Sequence, residues 1–99
     1  MTEDARCPLC GRPLPEDGPV DRHHVVPKSR GGRVTVRMHR ICHRKLHSLF
    51  SEAELARIGD DFAALARDPD IARFLRWIRT KPPHFHARTA PARRRRRRR

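Results

Sequence analysis

The chain contains no tyrosine, one tryptophan and four phenylalanines, and only 36% of its 99 residues are hydrophobic. A single small domain of that composition buries a modest core, so a staple such as a metal ion is expected to supplement it. No apolar run approaches the ~20 residues that a membrane-spanning helix needs. The N-terminal MTEDARCPLC has acids and no apolar stretch, which excludes a secretory signal. A cytoplasmic protein with no membrane partner is expected. Cysteine is also scarce, at three. An odd number in a reducing compartment argues against a disulfide framework and for metal binding or redox use.

Acidic charge is short as well: 11 Asp and Glu face 24 Lys and Arg, for a net charge of +13. The excess is uneven. Residues 1–50 carry ten basic and five acidic side chains, residues 51–81 carry six of each, and Arg93–Arg99 supplies seven positive charges in one run. Within residues 23–47 there are seven basic side chains and no carboxylate, together with five of the seven histidines. A polyanion, with nucleic acid the natural choice, is the partner such a concentration fits.

Along the chain, residues 1–6 read as disordered. Cys7-Pro-Leu-Cys10-Gly11 reads as a zinc knuckle, two thiolates on a tight turn with Gly11 permitting the reversal. A redox Cys-x-x-Cys belongs between a strand and a helix, whereas Pro13, Pro15, Gly18 and Pro19 follow here, which is loop chemistry. Val20 to Val26 reads as a strand ended by Pro27, and Ser29, Gly31 and Gly32 as a flexible loop. Val34-Thr35-Val36 is the returning strand of a hairpin. A helix then runs to about Leu49, with Leu46, Leu49 and Phe50 toward a core and His43 and His47 toward the hairpin.

Ser51-x-x-Glu54 is a capping box that starts a new helix, closed by Gly59. Asp60 and Asp61 start another, carrying Phe62 and Leu65. Asp68-Pro69 caps a third, on which Ile71, Phe74, Leu75 and Ile78 form an apolar stripe flanked by Trp77. Pro82-Pro83 ends it. The domain organisation expected is residues 1–50 as a metal-stapled unit, 51–81 as a helical extension packed on it, and 82–99 as a basic, disordered tail. The fold class is α+β.

Cys7, Cys10, His39 and Cys42 make two short-spaced pairs that a hairpin can bring together, a Cys3His set suited to structural zinc. His43 and His47, four apart on a helix, share one face. Cys42 and His43 are neighbours whose side chains diverge by about 100°, so one can serve the zinc and the other a second site. His23 and His24 alternate across a strand. A bulge, or the approach to Pro27, is needed to aim both at one point.

The order CxxC, HHxxPxSxGG, HxxCHxxxH over residues 7–50 resembles the HNH nuclease domain, also called the ββα-metal fold. The His-His pair and the terminal HxxxH are similar to colicin-type DNases, and the two knuckles to the treble-clef zinc of phage and restriction-type HNH enzymes. The segment 51–85, with FLRWIRTKPP, is similar to a set of small bacterial HNH proteins. The resemblance implies a metal-dependent endonuclease acting on DNA, most naturally double-stranded. In it His24 matches the general base, and His23, His43 and His47 match the ligands of a catalytic divalent ion (Mg2+, Mn2+, Ni2+ or Zn2+). Lys28, Arg30, Arg33, Arg44 and Lys45 are the expected phosphate contacts. The middle Asn of the family motif has no counterpart: Val34 or Thr35 stands there, and Thr35 offers only a hydroxyl.

Two other readings use the same residues. A zinc-containing nucleic-acid-binding module would use the four histidines as phosphate contacts or packing residues, without catalysis. A zinc-stapled adaptor would dock protein partners through the helices of 51–81, and has no need of the basic concentration between Lys28 and Lys45.

Overall fold

A computed structural model describes residues 5–87. The β-branched stretches pair as expected: β1 (Val20–His24) runs antiparallel to β2 (Thr35–His39), with Val20 opposite His39 and His24 opposite Thr35. One further hydrogen bond, from the Val25 amide to the Val34 carbonyl at 3.0 Å, extends the pairing toward the loop. β2 passes directly into α1 (Arg40–Leu49), with His39 as its N-cap. Three shorter helices follow, α2 (Glu52–Ile58), α3 (Phe62–Arg67) and α4 (Pro69–Ile78). The result is a small α+β fold, a two-stranded sheet with four helices.

The hairpin loop is more ordered than its glycines suggest. Lys28–Arg30 forms one turn of 3-10 helix, and the Pro27 carbonyl accepts from the amides of both Arg30 and Gly32. Gly31 closes the turn at φ 84°, a left-handed conformation open to glycine at little cost. The Ser29 hydroxyl donates to the Glu52 carboxylate, tying the turn to the start of α2. The loop expected to be flexible is therefore closed on itself and anchored.

The starts of α2, α3 and α4 are chemically specified. The Ser51 hydroxyl accepts from the Glu54 amide at 3.1 Å, while Glu54 accepts from the Ser51 amide at 2.8 Å, which satisfies two donors that a helix leaves unpaired. Asp61 caps α3, and the Asp68 carboxylate accepts from the amides of Asp70 and Ile71 ahead of α4. Gly59, at φ 62°, ends α2.

The stripe Ile71, Phe74, Leu75 and Ile78 is buried, and it joins Met38, Ile41, Leu46, Leu49, Leu55 and Leu65 in one core. Removing each such side chain from water contributes about 1.5–3 kcal/mol, against an ordering cost that falls on every residue. Cys7, Cys10 and Cys42 belong to this same core. Whatever holds them together also holds the helices to the hairpin.

Two expectations of disorder require correction. Ala5 and Arg6 are paired rather than loose: the Leu14 amide donates to the Ala5 carbonyl at 2.8 Å, and Arg6 bridges to Pro13. The stretch after Pro83 does not leave the fold at once, because Phe85 and Ala87 pack against the core and the Phe85 ring lies 5.6 Å from that of Trp77. The apolar Phe85 side chain outweighs the polar character of its neighbours. Residues 1–4 and the Arg93–Arg99 run lie outside the described residues. Among the described residues, no helix is long and apolar enough to cross a membrane.

Candidate metal centres

Cys7 and Cys10 are brought together by a tight turn. Gly11, at φ 81°, donates its amide to the Cys7 carbonyl at 2.9 Å, and the Cys7 amide donates to the Arg12 carbonyl at 3.0 Å. The second pair comes from the junction of strand and helix, His39 at the end of β2 and Cys42 in the first turn of α1. All four residues are buried, with one donor atom from each within 4.8 Å of the others.

His39 Nδ1 lies 3.4 Å from Cys10 Sγ. Zinc bonds of about 2.0 Å to nitrogen and 2.3 Å to sulfur give a tetrahedron with edges of roughly 3.3–3.8 Å, so this separation already suits one ion. His39 Nε2 is buried without a hydrogen-bond partner. The Cys7-Cys10-His39-Cys42 cluster could hold a structural metal such as zinc, and its donor set fits that ion.

The electrostatics of the cluster point the same way. The Cys10 thiol is pulled well below its ordinary value by hydrogen bonds from Cys42 and Cys7, against the opposing effect of burial, with His39 and the Arg12 amide helping. Burial works against charging His39, yet hydrogen bonds to Cys10 and Cys7 prevail and push it up to about 9. The Cys42 thiol is pushed up by the Cys10 and Cys7 sulfurs and by burial. Close sulfurs thus compete for negative charge. A cation that accepts all three as thiolates removes that competition.

The second cluster is built on the other side of α1. His43 and His47, one turn apart on that helix, meet His23 from β1, with ring centroids 4.8 Å apart within the helix and 5.2 and 5.9 Å from His23. One nitrogen from each of the three lies within 4.8 Å of the others. Phe62 of α3 covers the His23 ring at 6.2 Å. Burial, then the charges of His43, His47 and His24, push His23 down to about 4, so at neutral pH it is an uncharged imidazole with a lone pair to give. Its Nδ1 is buried and has no hydrogen-bond partner. Three clustered imidazoles, one with an orphaned buried nitrogen, could hold a divalent ion with positions left open for other ligands.

His24 stands apart from this trio. The β1–β2 ladder is regular through His24, with residues paired one to one and no bulge. Strand alternation therefore carries His24 to the face opposite His23. The expected re-aiming does not occur within the strand, and His24 is half-buried across from Thr35. Val34, the other candidate for the missing Asn position, is 67% exposed.

Of the expected phosphate contacts, Lys28, Arg30, Arg33 and Arg44 are exposed. Lys45 is half-buried with its ammonium 5.7 Å from the centre of the Phe74 ring, which engages it in the fold. Sequence reasoning missed two residues. Asp21 accepts from His43 Nδ1 at 3.0 Å and from Arg40 Nε at 2.9 Å. Burial alone would raise the Asp21 carboxyl, but hydrogen bonds from His43 and Arg40 hold it below its ordinary value. The available signal was its place two residues before His23, on the same strand face. Arg12 is the other: its Nε lies 3.3 Å from Cys10 Sγ, and the composition of a proline-rich loop gave no hint of that.

No protein-family model matches the chain, and no solved structure matches it. Over 79 residues it is 40% identical to the "Uncharacterized protein YisB" of Bacillus subtilis (strain 168), across 78% of this chain and 76% of that one. Identity at that level over most of both chains shows that the protein belongs to one family with YisB.

Proposed function

We propose that the protein is a metal-dependent DNA endonuclease of the HNH type, in which His23, His43 and His47 hold a divalent ion and His24 is the general base. The Cys7-Cys10-His39-Cys42 cluster is the structural zinc of the same ββα-metal unit. The observation that carries this reading is the meeting of three imidazoles from β1 and α1, beside a hairpin turn whose Lys28 and Arg30 are exposed. A site that only braced the fold would close its coordination with a fourth protein ligand. Here the described residues supply three.

An ion bound there would neutralise the charge that develops on the phosphate and the departing 3′-oxygen. The remaining work falls to the protein. Lys28, Arg30, Arg33 and Arg44 attract and position the phosphate backbone without reading bases. His24, outside the ligand set, keeps its imidazole free to take the proton from the water that attacks phosphorus, as the phosphorus–O3′ bond breaks. The role requires the His24 side chain, which leaves β1 on the face opposite His23, to reach the attacking water from the end of the strand.

One observation favours a second reading, a nucleic-acid-binding module without catalysis. Neither Val34 nor Thr35 offers the carboxamide of the family motif, and Thr35 is the residue directly opposite His24. Plasmid nicking in Mg2+, Mn2+ or Ni2+, run beside a binding assay over a salt series, separates the two. The nuclease reading expects nicking in at least one of these ions. Salt-sensitive DNA binding with no nicking in any of them overturns it in favour of the binding module.

A further inference from the structure

We propose that Asp21 is a positioning residue of the His23–His43–His47 centre, fixing His43 in the tautomer that turns Nε2 toward the ion. This rests on the reading of that trio as a divalent-ion site. Asp21 Oδ2 lies 3.0 Å from His43 Nδ1, and Oδ1 accepts from Arg40 Nε at 2.9 Å. Both carboxylate oxygens are therefore committed, one to the imidazole and one to a guanidinium that cannot lose its charge. An ionised carboxylate only accepts, so the proton between Asp21 and His43 belongs to His43 Nδ1. In the neutral ring Nε2 then carries the lone pair, and it is the nitrogen of His43 open to a metal.

The backbone explains why these groups meet. Asp21 and His23 are two apart on β1, so they share a strand face, and both approach α1 there. Arg40 and His43 are three apart on α1 and lie on one helix face. The pair from the strand thus docks on the pair from the helix, each carrying one member to the ion and one to its support. Asp21 and His43 are about equally sheltered, with side chains 24% and 21% exposed, so the contact is screened less than a surface ion pair. A carboxylate behind a ligating imidazole raises its basicity and holds its ring plane, and loss of such a partner typically lowers metal affinity about 10–100-fold.

The test measures ions and protons, independently of cleavage. Zinc-loaded protein is titrated with Ni2+ by calorimetry, for the parent and for Asp21→Asn, and the His43 tautomer is read from ring 15N shifts in the apo second site. The parent should show the Nδ1–H tautomer, and Asp21→Asn should bind Ni2+ about 10–100-fold more weakly with an unchanged content of the first zinc. A parent His43 carrying its proton on Nε2 overturns the proposal, and that measurement stands even should the variant fail to fold. Uptake of Ni2+ by the variant with parental affinity overturns the role of Asp21 alone. Absence of Ni2+ uptake by the parent overturns the three-imidazole centre on which the proposal rests, whereas the nuclease reading falls only if no nicking occurs in Mg2+, Mn2+ or Ni2+.

Discussion

Arg12 Nη1 donates to the Pro82 carbonyl at 2.6 Å, which ties the first zinc-type knuckle to the segment that follows the last helix. The same guanidinium reaches the Lys81 carbonyl at 3.3 Å and, through Nε, Cys10 Sγ at 3.3 Å. Arg79 returns the connection, donating from Nε to the Cys10 carbonyl at 3.0 Å. Arg12 thus sets its guanidinium against the Cys10 sulfur, and the two arginines together tie the knuckle to residues 79–82 just beyond α4.

Arg12→Gln should therefore loosen a region far from it in sequence. Charge-assisted hydrogen bonds contribute about 1.5–3 kcal/mol each, and the variant should lose roughly that much stability. Hydrogen exchange should accelerate for the amides of residues 79–85, whereas α2 should exchange as in the parent. Unchanged exchange in residues 79–85 would show that Phe85 and Trp77 packing alone holds this end.

Cys7→Ser/Cys10→Ser should leave an unfolded chain. Structural zinc contributes apparent binding free energies of about 10–16 kcal/mol in small zinc domains, comparable to or larger than the whole stability of an ordinary domain, about 5–15 kcal/mol. The three cysteines lie inside the core rather than beside it, so loss of the ion opens the centre of the molecule. Elemental analysis of the parent should find zinc retained, and circular dichroism of the variant should show loss of helix. A folded, zinc-free variant would contradict the structural role.

Much of this architecture was legible in the sequence because it is set by local chemistry. The capping box at Ser51, the Asp68-Pro69 start and the 3.6-residue stripe of α4 each depend on neighbours a few residues away, and each is found where expected. The two Cys/His groupings were legible too, since Cys-x-x-Cys, His-x-x-Cys and His-x-x-x-His are short-range patterns that a hairpin assembles. What escaped depends on contacts far apart in the chain. Asp21 is one acid among eleven until α1 docks on β1, and Arg12 reaches residues 81 and 82 only through the packed core. Ser29 and Glu52 meet for the same reason, which is why a glycine-bearing loop is anchored.

The two loop glycines should respond differently to alanine. At Gly32 a Cβ would lie 1.7 Å from the Val26 carbonyl oxygen, so backbone must move. At Gly31 nothing lies within 4 Å, and only the φ of 84° resists a side chain. Gly32→Ala should cost about 1–3 kcal/mol or more by overpacking and should displace the turn that carries Lys28 and Arg30. Gly31→Ala should cost about 1–2 kcal/mol, and Gly31→Asn less, since Asn tolerates left-handed backbone better than Ala. Thermal unfolding of the three variants gives the order, and equal losses at both sites would refute the close approach at Val26.

His24 and His47 should separate cleanly if one is a base and the other a ligand. They sit in different surroundings: His47 is within the trio of imidazoles, while His24 follows His23 on the opposite face of β1. His24 belongs to neither the imidazole trio nor the core cluster, so in His24→Ala folding, zinc content, divalent-ion affinity and DNA binding should match the parent. Only nicking should fall, by about 10²–10⁴-fold for loss of a general base. His47→Ala leaves two imidazoles where three stood, so its nicking should fall together with its affinity for Ni2+ or Mn2+. Raising the ion concentration should then recover part of the activity of His47→Ala and none of that of His24→Ala. Recovery of His24→Ala by added ion would make His24 a ligand, and parental nicking by that variant would leave the base to another residue.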